Sequence, residues 1–446
     1  MGERRFRRYA ALLVAVALAG CAQVPTHGPI QQGQEVGLRQ QDSFVRRIAE
    51  PPPAGADPVR IVRGFLAASS NFDGNHAVAR EYLAPEANAT WDPGAGVQVY
   101  DARAATFVQR AGGRVALQAP RGGSIDAEGS YTPAAPGAAQ EADFTLRQVG
   151  GQWRIAGLPN GLLLSVTDVA RAYRQVYLYY LDPSRTRLVP DPVLLPVRDS
   201  LASAAVRALL AGPTGRLRGA VVSAFPPGTR LVSGTVPVVG NVARVDLTGA
   251  VQAAAPGDRE ALSAQLVWTL RTLPEVRSVA VTSEGVDLSV PGMGATQPRD
   301  AWARFDPAVL PVDSPAYAVR DGRLGTFDQD AFGPLQGAVG TGQAPLVAPA
   351  VSPDGTLVAG LSADRSGLLL ARVGPGEPVR PLAVPGSGPL TAPSFDFRNT
   401  LVVARQGGTG PLLWAVPPGS APQAVDAPEL AGSPVVALRV ARDGVR

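Results

Sequence analysis

The chain has one cysteine, no lysine and two histidines in 446 residues. A single thiol excludes an intramolecular disulfide, so the domains must be held by packing alone. Two histidines far apart in sequence, His27 and His76, leave no imidazole cluster for zinc or general-base chemistry. No Gly-x-Ser-x-Gly elbow, phosphate-binding loop or dinucleotide fingerprint occurs. All 41 basic residues are arginine, and with 50 glycines and 43 prolines this reads as compositional bias, which strips the arginine count of chemical meaning. The formal charge of +4 is not a nucleic-acid signal either. Residues 1–20 carry four arginines and Glu3, so the remainder is near +1. Neither a cofactor nor a bound metal is expected, and no nucleic-acid partner.

What is present begins at the N-terminus. Arg4, Arg5, Arg7 and Arg8 precede an Ala/Leu/Val run from Ala10 to Ala19, which ends at Leu18-Ala19-Gly20-Cys21. These are the basic region, apolar region and small-residue cleavage site of an export signal. About ten apolar residues rise roughly 15 Å as a helix, half the thickness a membrane span needs. Leu18, Ala19 and Gly20 ahead of Cys21 resemble the bacterial lipobox, in which the cysteine takes diacylglycerol and becomes the new N-terminus. An ordinary signal peptide with a stray cysteine, or a cysteine of a folded core, are the competing readings. The lack of any other cysteine and the place of Cys21 at the end of the apolar run favour lipid attachment.

Residues 1–20 thus read as a signal peptide and 21–55 as a lipidated, proline-punctuated tether. Residues 56–165 read as an α+β domain. Asp57-Pro58 caps a helix carrying Val59, Val62, Phe65 and Leu66, and a second helix runs from Ala77 to Leu83. Strands follow at Val97–Tyr100, Thr106–Gln109, Val115–Ala119 and Ala142–Val149, with hairpin turns at Gly112-Gly113 and Gly150-Gly151. This order resembles the cone-shaped nuclear-transport-factor-like fold.

Residues 175–292 read as a second α+β unit: a strand at Val176–Leu181 and an extended passage at Leu188–Val197. A helix capped by Asp199 and Ser200 stops at Gly212-Pro213. Strands are expected at Arg230–Val238 and Val242–Leu247, a helix from Asp258 to Leu273, and a hairpin over Val276–Thr282 and Val286–Val290. Residues 300–446 are glycine-rich and all-β. Related segments around Tyr317, Ser352-Pro353-Asp354-Gly355 and Ser394-Phe395-Asp396 recur at roughly 40-residue spacing, which reads as propeller blades. The region holds too few repeats for a closed propeller, and Val435–Val440 reads as a last strand broken off, in a fragment or a truncated gene.

Several residues are candidates for chemistry. Asn71-Phe72-Asp73-Gly74-Asn75 resembles a calcium loop but lacks the later glutamate and reads as a turn. Asp126, Glu141 and Asp143 could pair as acid and base, though solvated strand faces explain them better. Trp153, Trp268 and Trp302 could form a glycan platform, with core packing the simpler reading. Phe225-Pro226-Pro227-Gly228 looks like an exposed aromatic turn suited to a partner. The residues point away from an enzyme.

Taken end to end, the chain resembles the actinobacterial lipoprotein LpqB family. The resemblance rests on Leu18-Ala19-Gly20-Cys21-Ala22 with Val24-Pro25, Asp57-Pro58 with Val62-Arg63-Gly64-Phe65-Leu66, and Ala208-Leu209-Leu210-Ala211-Gly212-Pro213. Ser223–Thr229, Gln265–Leu270, Ser352–Gly355 and Val436–Val440 with Asp443-Gly444 extend it. It implies an N-terminal family domain, a GerMN domain and a β-propeller. It also implies membrane attachment through acylated Cys21 on the extracytoplasmic face, contact with the extracellular domain of the sensor kinase MtrB of an MtrAB-type system, and a part in envelope homeostasis. Alternatives are a structural lipoprotein binding peptidoglycan and a propeller-linked cell-wall enzyme.

Overall fold

The computed structural model describes residues 49–197, 200–308, 315–328, 331–343, 345–406, 412–430, 432 and 434–446. Cys21 and its flanking motif, His27 and Asp199, expected to cap a helix, lie outside these residues. The described chain is mixed α/β and rich in sheet.

The first part opens with α1 (Pro58–Ser69). The Asp57 carboxylate accepts from the Arg60 N–H at 2.9 Å, and Pro58 supplies a preset first helical position. Ile61, Val62, Phe65 and Leu66 face the core. The expected second helix closes early: α2 spans only Ala77–Arg80, and Glu81–Leu83 turn away. A further short helix, α3 (Pro85–Thr90), follows, again with proline at its start.

The strands are β1 (Val97–Tyr100), β2 (Thr106–Arg110), β3 (Arg114–Ile125), β4 (Tyr131–Pro133), β5 (Ala139–Val149), β6 (Gln152–Gly157) and β7 (Leu162–Ser165). They form one sheet in the order β6-β5-β3-β1-β7, with β2 and β4 also on β3. Gly112-Gly113 and Gly150-Gly151 turn the two predicted hairpins, all four with positive φ. The β1–β7 pair is parallel, which no local pattern announces. Phe144, Leu117, Ile155 and Leu164 lie fully buried between the sheet and α1. The end of the expected tether is docked: the Tyr82 hydroxyl donates to the Glu50 carbonyl at 2.9 Å, and the Gly55 N–H to Gln152 Oε1 at 2.8 Å.

Helix α4 (Val166–Ala172) links to the second part through a capping box, in which Ser165 and Asp168 satisfy each other's backbone N–H groups. Strands β8 (Tyr173–Leu181) and β9 (Leu188–Pro196) pair antiparallel along their whole length. Helix α5 (Leu201–Ala211) begins at Ser200, whose side chain accepts from Ser203 N–H, and stops at Gly212. The expected strand over Arg230–Val238 does not form. Ser233-Gly234 breaks it, Pro237 has no N–H to donate, and only β10 (Val238–Val239) and a bridge at Leu231 remain. Helix α6 (Pro256–Leu270) crosses between the parallel strands β11 (Val242–Leu247) and β12 (Ser278–Ser283). Strands β13 (Val286–Asp287) and β14 (Thr296–Pro298) complete that sheet.

From Ala261 to Leu270, α6 is buried on every side, including Ser263, Gln265 and Thr269. Each of these polar groups has a partner, as burial requires. Gln265 accepts from Ala224 N–H at 2.8 Å and donates to the Tyr179 carbonyl at 2.9 Å. Thr269 Oγ1 accepts from Tyr179 N–H at 3.0 Å. Gln297 joins Ser263 to the Trp302 indole N–H, which it accepts at 2.7 Å.

Three antiparallel sheets follow, each in chain order: β15-β16-β17 (Ala316–Arg320, Arg323–Asp328, Ala331–Pro334), then β18-β19-β20-β21 (Val347–Val351, Leu357–Leu361, Leu368–Arg372, Val379–Leu382), then β22-β23-β24-β25 (Ser394–Phe395, Leu401–Ala404, Leu413–Val416, Gln423–Val425). They stack through shared apolar clusters. Leu324 and Val358 join the first two sheets, while Leu361, Leu401 and Val403 join the next two.

One turn repeats. Gly355, Asn399 and Gly444 each donate an N–H three residues back, to Ser352, Asp396 and Ala441, and each has a φ between 60° and 73°. The expected strand Val435–Val440 is absent: residues 434–440 form no strand ladder, and Val436 is 83% exposed. The segment meets a strand through Val440 N–H, which donates to Ser394 Oγ on β22 at 3.0 Å, and the turn after it forms.

Candidate functional site

The described part of the chain buries its surfaces at two junctions, and the first encloses an open cleft of about 720 Å³. One wall comes from Phe72, Trp91 and the loop after β3; the other from α5 and the end of β9. The base is a set of cross-contacts. Leu194 N–H donates to the Gly129 carbonyl at 2.8 Å, and Gly215 N–H to Glu128 Oε2 at 3.0 Å. Arg218 pairs with Glu128 and Arg216 donates to the Tyr131 carbonyl. The Arg218 side chain, with the Gly215 N–H, holds the Glu128 carboxyl below its ordinary range. Gly129 has φ +86°, and a Cβ there would lie 2.9 Å from the Leu194 carbonyl oxygen, so backbone meets backbone only because this residue is glycine.

Aromatic rings line the wall. Phe72 sits edge-on to Tyr173 at 5.5 Å and to His76 at 5.0 Å, and the Arg80 guanidinium covers the Trp91 ring at 5.1 Å. Arg80 is fixed by the Asn75 carbonyl at 2.9 Å and by Asn88. Ala89 and Ala211 are exposed on opposite walls. The cleft thus combines aromatic rings with polar and charged side chains, among them Arg80, Asp92, Asp126, Glu128 and Arg218.

The second junction joins the second α+β part to the sheet β22–β25. Asp182, 1% exposed, accepts from the backbone N–H groups of Ser184, Thr186 and Arg187 at 3.1, 2.7 and 2.8 Å. Arg398 reaches it from the repeated turn at 3.0 Å. Arg187 and Arg398 stand over the ring of Phe397, each 4.9 Å from its centroid. Burial pushes the Asp182 carboxyl up, but the donors from Ser184, Arg187 and Thr186 outweigh it and hold it below the ordinary range.

The other residues weighed from sequence are scattered. Asn71–Asn75 is a turn, with Asp73 N–H on Asn71 Oδ1 at 2.8 Å. Asp143 pairs with Arg110 at 3.5 Å on the solvent face of β5, Glu141 meets Gln118, and Asp126 caps a turn eight residues beyond Gln118. They do not converge. Trp268 and Trp302 are core residues at 5% and 6% exposure, so no aromatic platform forms with half-buried Trp153. Phe225 packs half-buried against the core, leaving Pro227 and Gly228 exposed. Among the described residues no cluster of His, Cys, Asp or Glu could hold a metal, and no helix is long and apolar enough to cross a membrane. Glu128, Asp182 and Arg398 carry no local signal. The Ser165-x-x-Asp168 capping box was the one readable mark of the link at the cleft.

Comparison with known proteins matches three family models: "Lipoprotein LpqB, N-terminal domain" over residues 51–170, "Sporulation and spore germination" over 177–289, and "Lipoprotein LpqB beta-propeller domain" over 322–446. None of these descriptions names an enzyme. A Thermobifida fusca protein described as lipoprotein LpqB is 38% identical, over 81% of this chain and 60% of its own length. The lipoprotein LpqB of Cutibacterium acnes is 32% identical, over 83% and 65%. This chain therefore spans less than two thirds of either relative. For the lipoprotein LpqB of Streptomyces coelicolor the identity is 33%, over the whole chain and 77% of that protein. Among solved structures, the first GerMN domain of the sporulation protein GerM from Bacillus subtilis is 20% identical, covering 28% of this chain and 98% of that one at a TM-score of 0.24. The relatives, together with the order of the three matched domains, establish that the chain belongs to the LpqB lipoprotein family.

Proposed function

We propose that this protein is a lipid-anchored extracytoplasmic accessory that modulates an MtrAB-type sensor kinase by direct binding. Cleavage after Leu18-Ala19-Gly20 frees Cys21 for acylation, and two or three acyl chains make the attachment stable where one would be marginal. The domains we assign are a tether over 21–55 whose last residues dock on the domain that follows, an α+β domain over 56–165, a GerMN domain over 175–292 and propeller blades over 300–446. The observation that carries the reading is the cleft between the first two domains, with its aromatic wall, charged edges and a base pinned by Glu128 and Arg218.

The test is capture of the detergent-purified lipoprotein by the kinase's extracellular domain, with purified peptidoglycan as the second arm. Ala89→Arg and Ala211→Arg fill the cleft from exposed helix-linked positions where arginine is tolerated. Kinase capture that the double variant abolishes supports the proposal. Retention by peptidoglycan alone, equal in both proteins, replaces it with the structural reading.

A further inference from the structure

A second concavity lies between the middle and last sheets, about 490 Å³ in volume and within the range of ligand sites. Its floor is apolar: Leu370, Leu382 and Phe395 are half-buried on the cluster that joins the two sheets. Pro378, Pro381, Pro417 and Pro418 stiffen the sides. Arg372 and Arg380 stand exposed at the edge, and neither has a carboxylate partner among the described residues. Glu377 is the one acidic side chain there, which leaves the groove with an excess positive charge.

The strand along this groove is β21, the outer strand of its sheet. A peptide could in principle extend such an edge through main-chain hydrogen bonds. Here Pro381 sits within β21 and Pro378 just before it, and proline has no N–H to offer. Strand addition, including by a second copy, is thereby weakened. Recognition must come from side chains entering the apolar floor and from carboxylates meeting the two guanidinium groups.

We infer that the groove between the second and third sheets takes a short linear peptide of a protein partner, with acidic residues alternating with leucine- or phenylalanine-like anchors. The site is separate from the cleft proposed to meet the kinase and stands whether or not that proposal does.

Fluorescence anisotropy on the full-length lipoprotein in detergent tests it, with fluorescein-labelled Glu-Leu-Asp-Leu-Phe-Glu as the probe. A peptide of the same order with lysine for each acid is the charge control, and phosphatidylglycerol vesicles are the lipid control. Saturable binding of the acidic probe is expected, with none for the lysine peptide. The double variant Arg372→Glu with Arg380→Glu should weaken the acidic probe by at least about tenfold and admit the lysine peptide. If its melting point falls, Arg372→Gln with Arg380→Gln takes its place, with the same loss expected. The inference is overturned by no saturable binding up to about 1 mM, the weak end of specific affinity. Indifference to the sign of the peptide, equal binding by the variants, or arginine-dependent binding of vesicles without the peptide overturns it too.

Discussion

Arg398 donates to Asp182 at 3.0 Å, joining two residues 216 positions apart and tying the third sheet to the loop between β8 and β9. Asp182 is 1% exposed, whereas half of the Arg398 side chain is open to water. The carboxylate serves first as the acceptor for its own loop and second as the anchor for the arginine. Asp182→Ala removes the acceptor of three backbone N–H groups and should cost about 1–3 kcal/mol. Arg398→Ala leaves those bonds intact and should cost about 0–1 kcal/mol, as a half-exposed pair does. Urea denaturation of both variants checks the order, and an equal or larger loss for Arg398→Ala would reverse it.

Acid should loosen the Ser352–Gly355 turn. Burial raises the Asp354 carboxyl, but donors from Ser352, Thr356 and Asn399 win and hold it at about 2, against an ordinary 3.8. Its folded value is depressed, so its contribution is full above 3.8 and is lost as the pH falls towards about 2. Asp182 works in the same direction. Asp191 works in the opposite one, because burial holds its carboxyl high despite the bonds from Thr214. Protease sensitivity of the all-β region should rise across this window, and Asp354→Asn should flatten the rise. A profile that Asp354→Asn leaves unchanged counts against the turn as the acid-sensitive element.

Gly355 and Gly444 occupy the same left-handed position of the repeat but differ in their surroundings. A Cβ on Gly444 would lie 2.5 Å from Phe397 Cε1, and one on Gly355 would lie 3.3 Å from the Tyr317 hydroxyl. Both alanine variants carry the backbone strain of about 1–3 kcal/mol. Gly444→Ala adds a clash with the ring that Arg187 and Arg398 flank, and should melt earlier than Gly355→Ala. Equal melting would show that Phe397 moves aside freely.

Gln265 bridges Ala224 and Tyr179 inside the fully buried stretch Ala261–Leu270 of α6. Gln265→Leu keeps the bulk and leaves a buried N–H and a buried carbonyl unpaired, each worth about 1–3 kcal/mol. Chemical denaturation should show a loss of about 2–6 kcal/mol, the two together, and a neutral result would mean that water takes the place of the amide.

Much of this fold was written locally. Asp57-Pro58 started a helix, paired glycines turned two hairpins, Gly212 ended α5, and the Ser-Pro-Asp-Gly turn marked a repeat that Asp396 and Ala441 continue in altered form. Long-range choices were not. The parallel β1–β7 pair, the burial of α6 on all sides and the Asp182–Arg398 bond each depend on a partner distant in sequence. The strand expected over Arg230–Val238 does not form because Gly234 and Pro237 interrupt it. The cleft was invisible for the same reason: Glu128 and Arg218 look like ordinary surface charges until the domains meet.

Membrane attachment through Cys21 is the premise on which the proposed signalling role stands. Metabolic labelling with an alkyne-bearing fatty acid, followed by fractionation of cells expressing the wild type and Cys21→Ala, tests it most directly. Label and membrane association in the wild type, and loss of both in Cys21→Ala with the ectodomain still folded, are the expected results. A Cys21→Ala protein that still carries the label and sediments with membranes would contradict it.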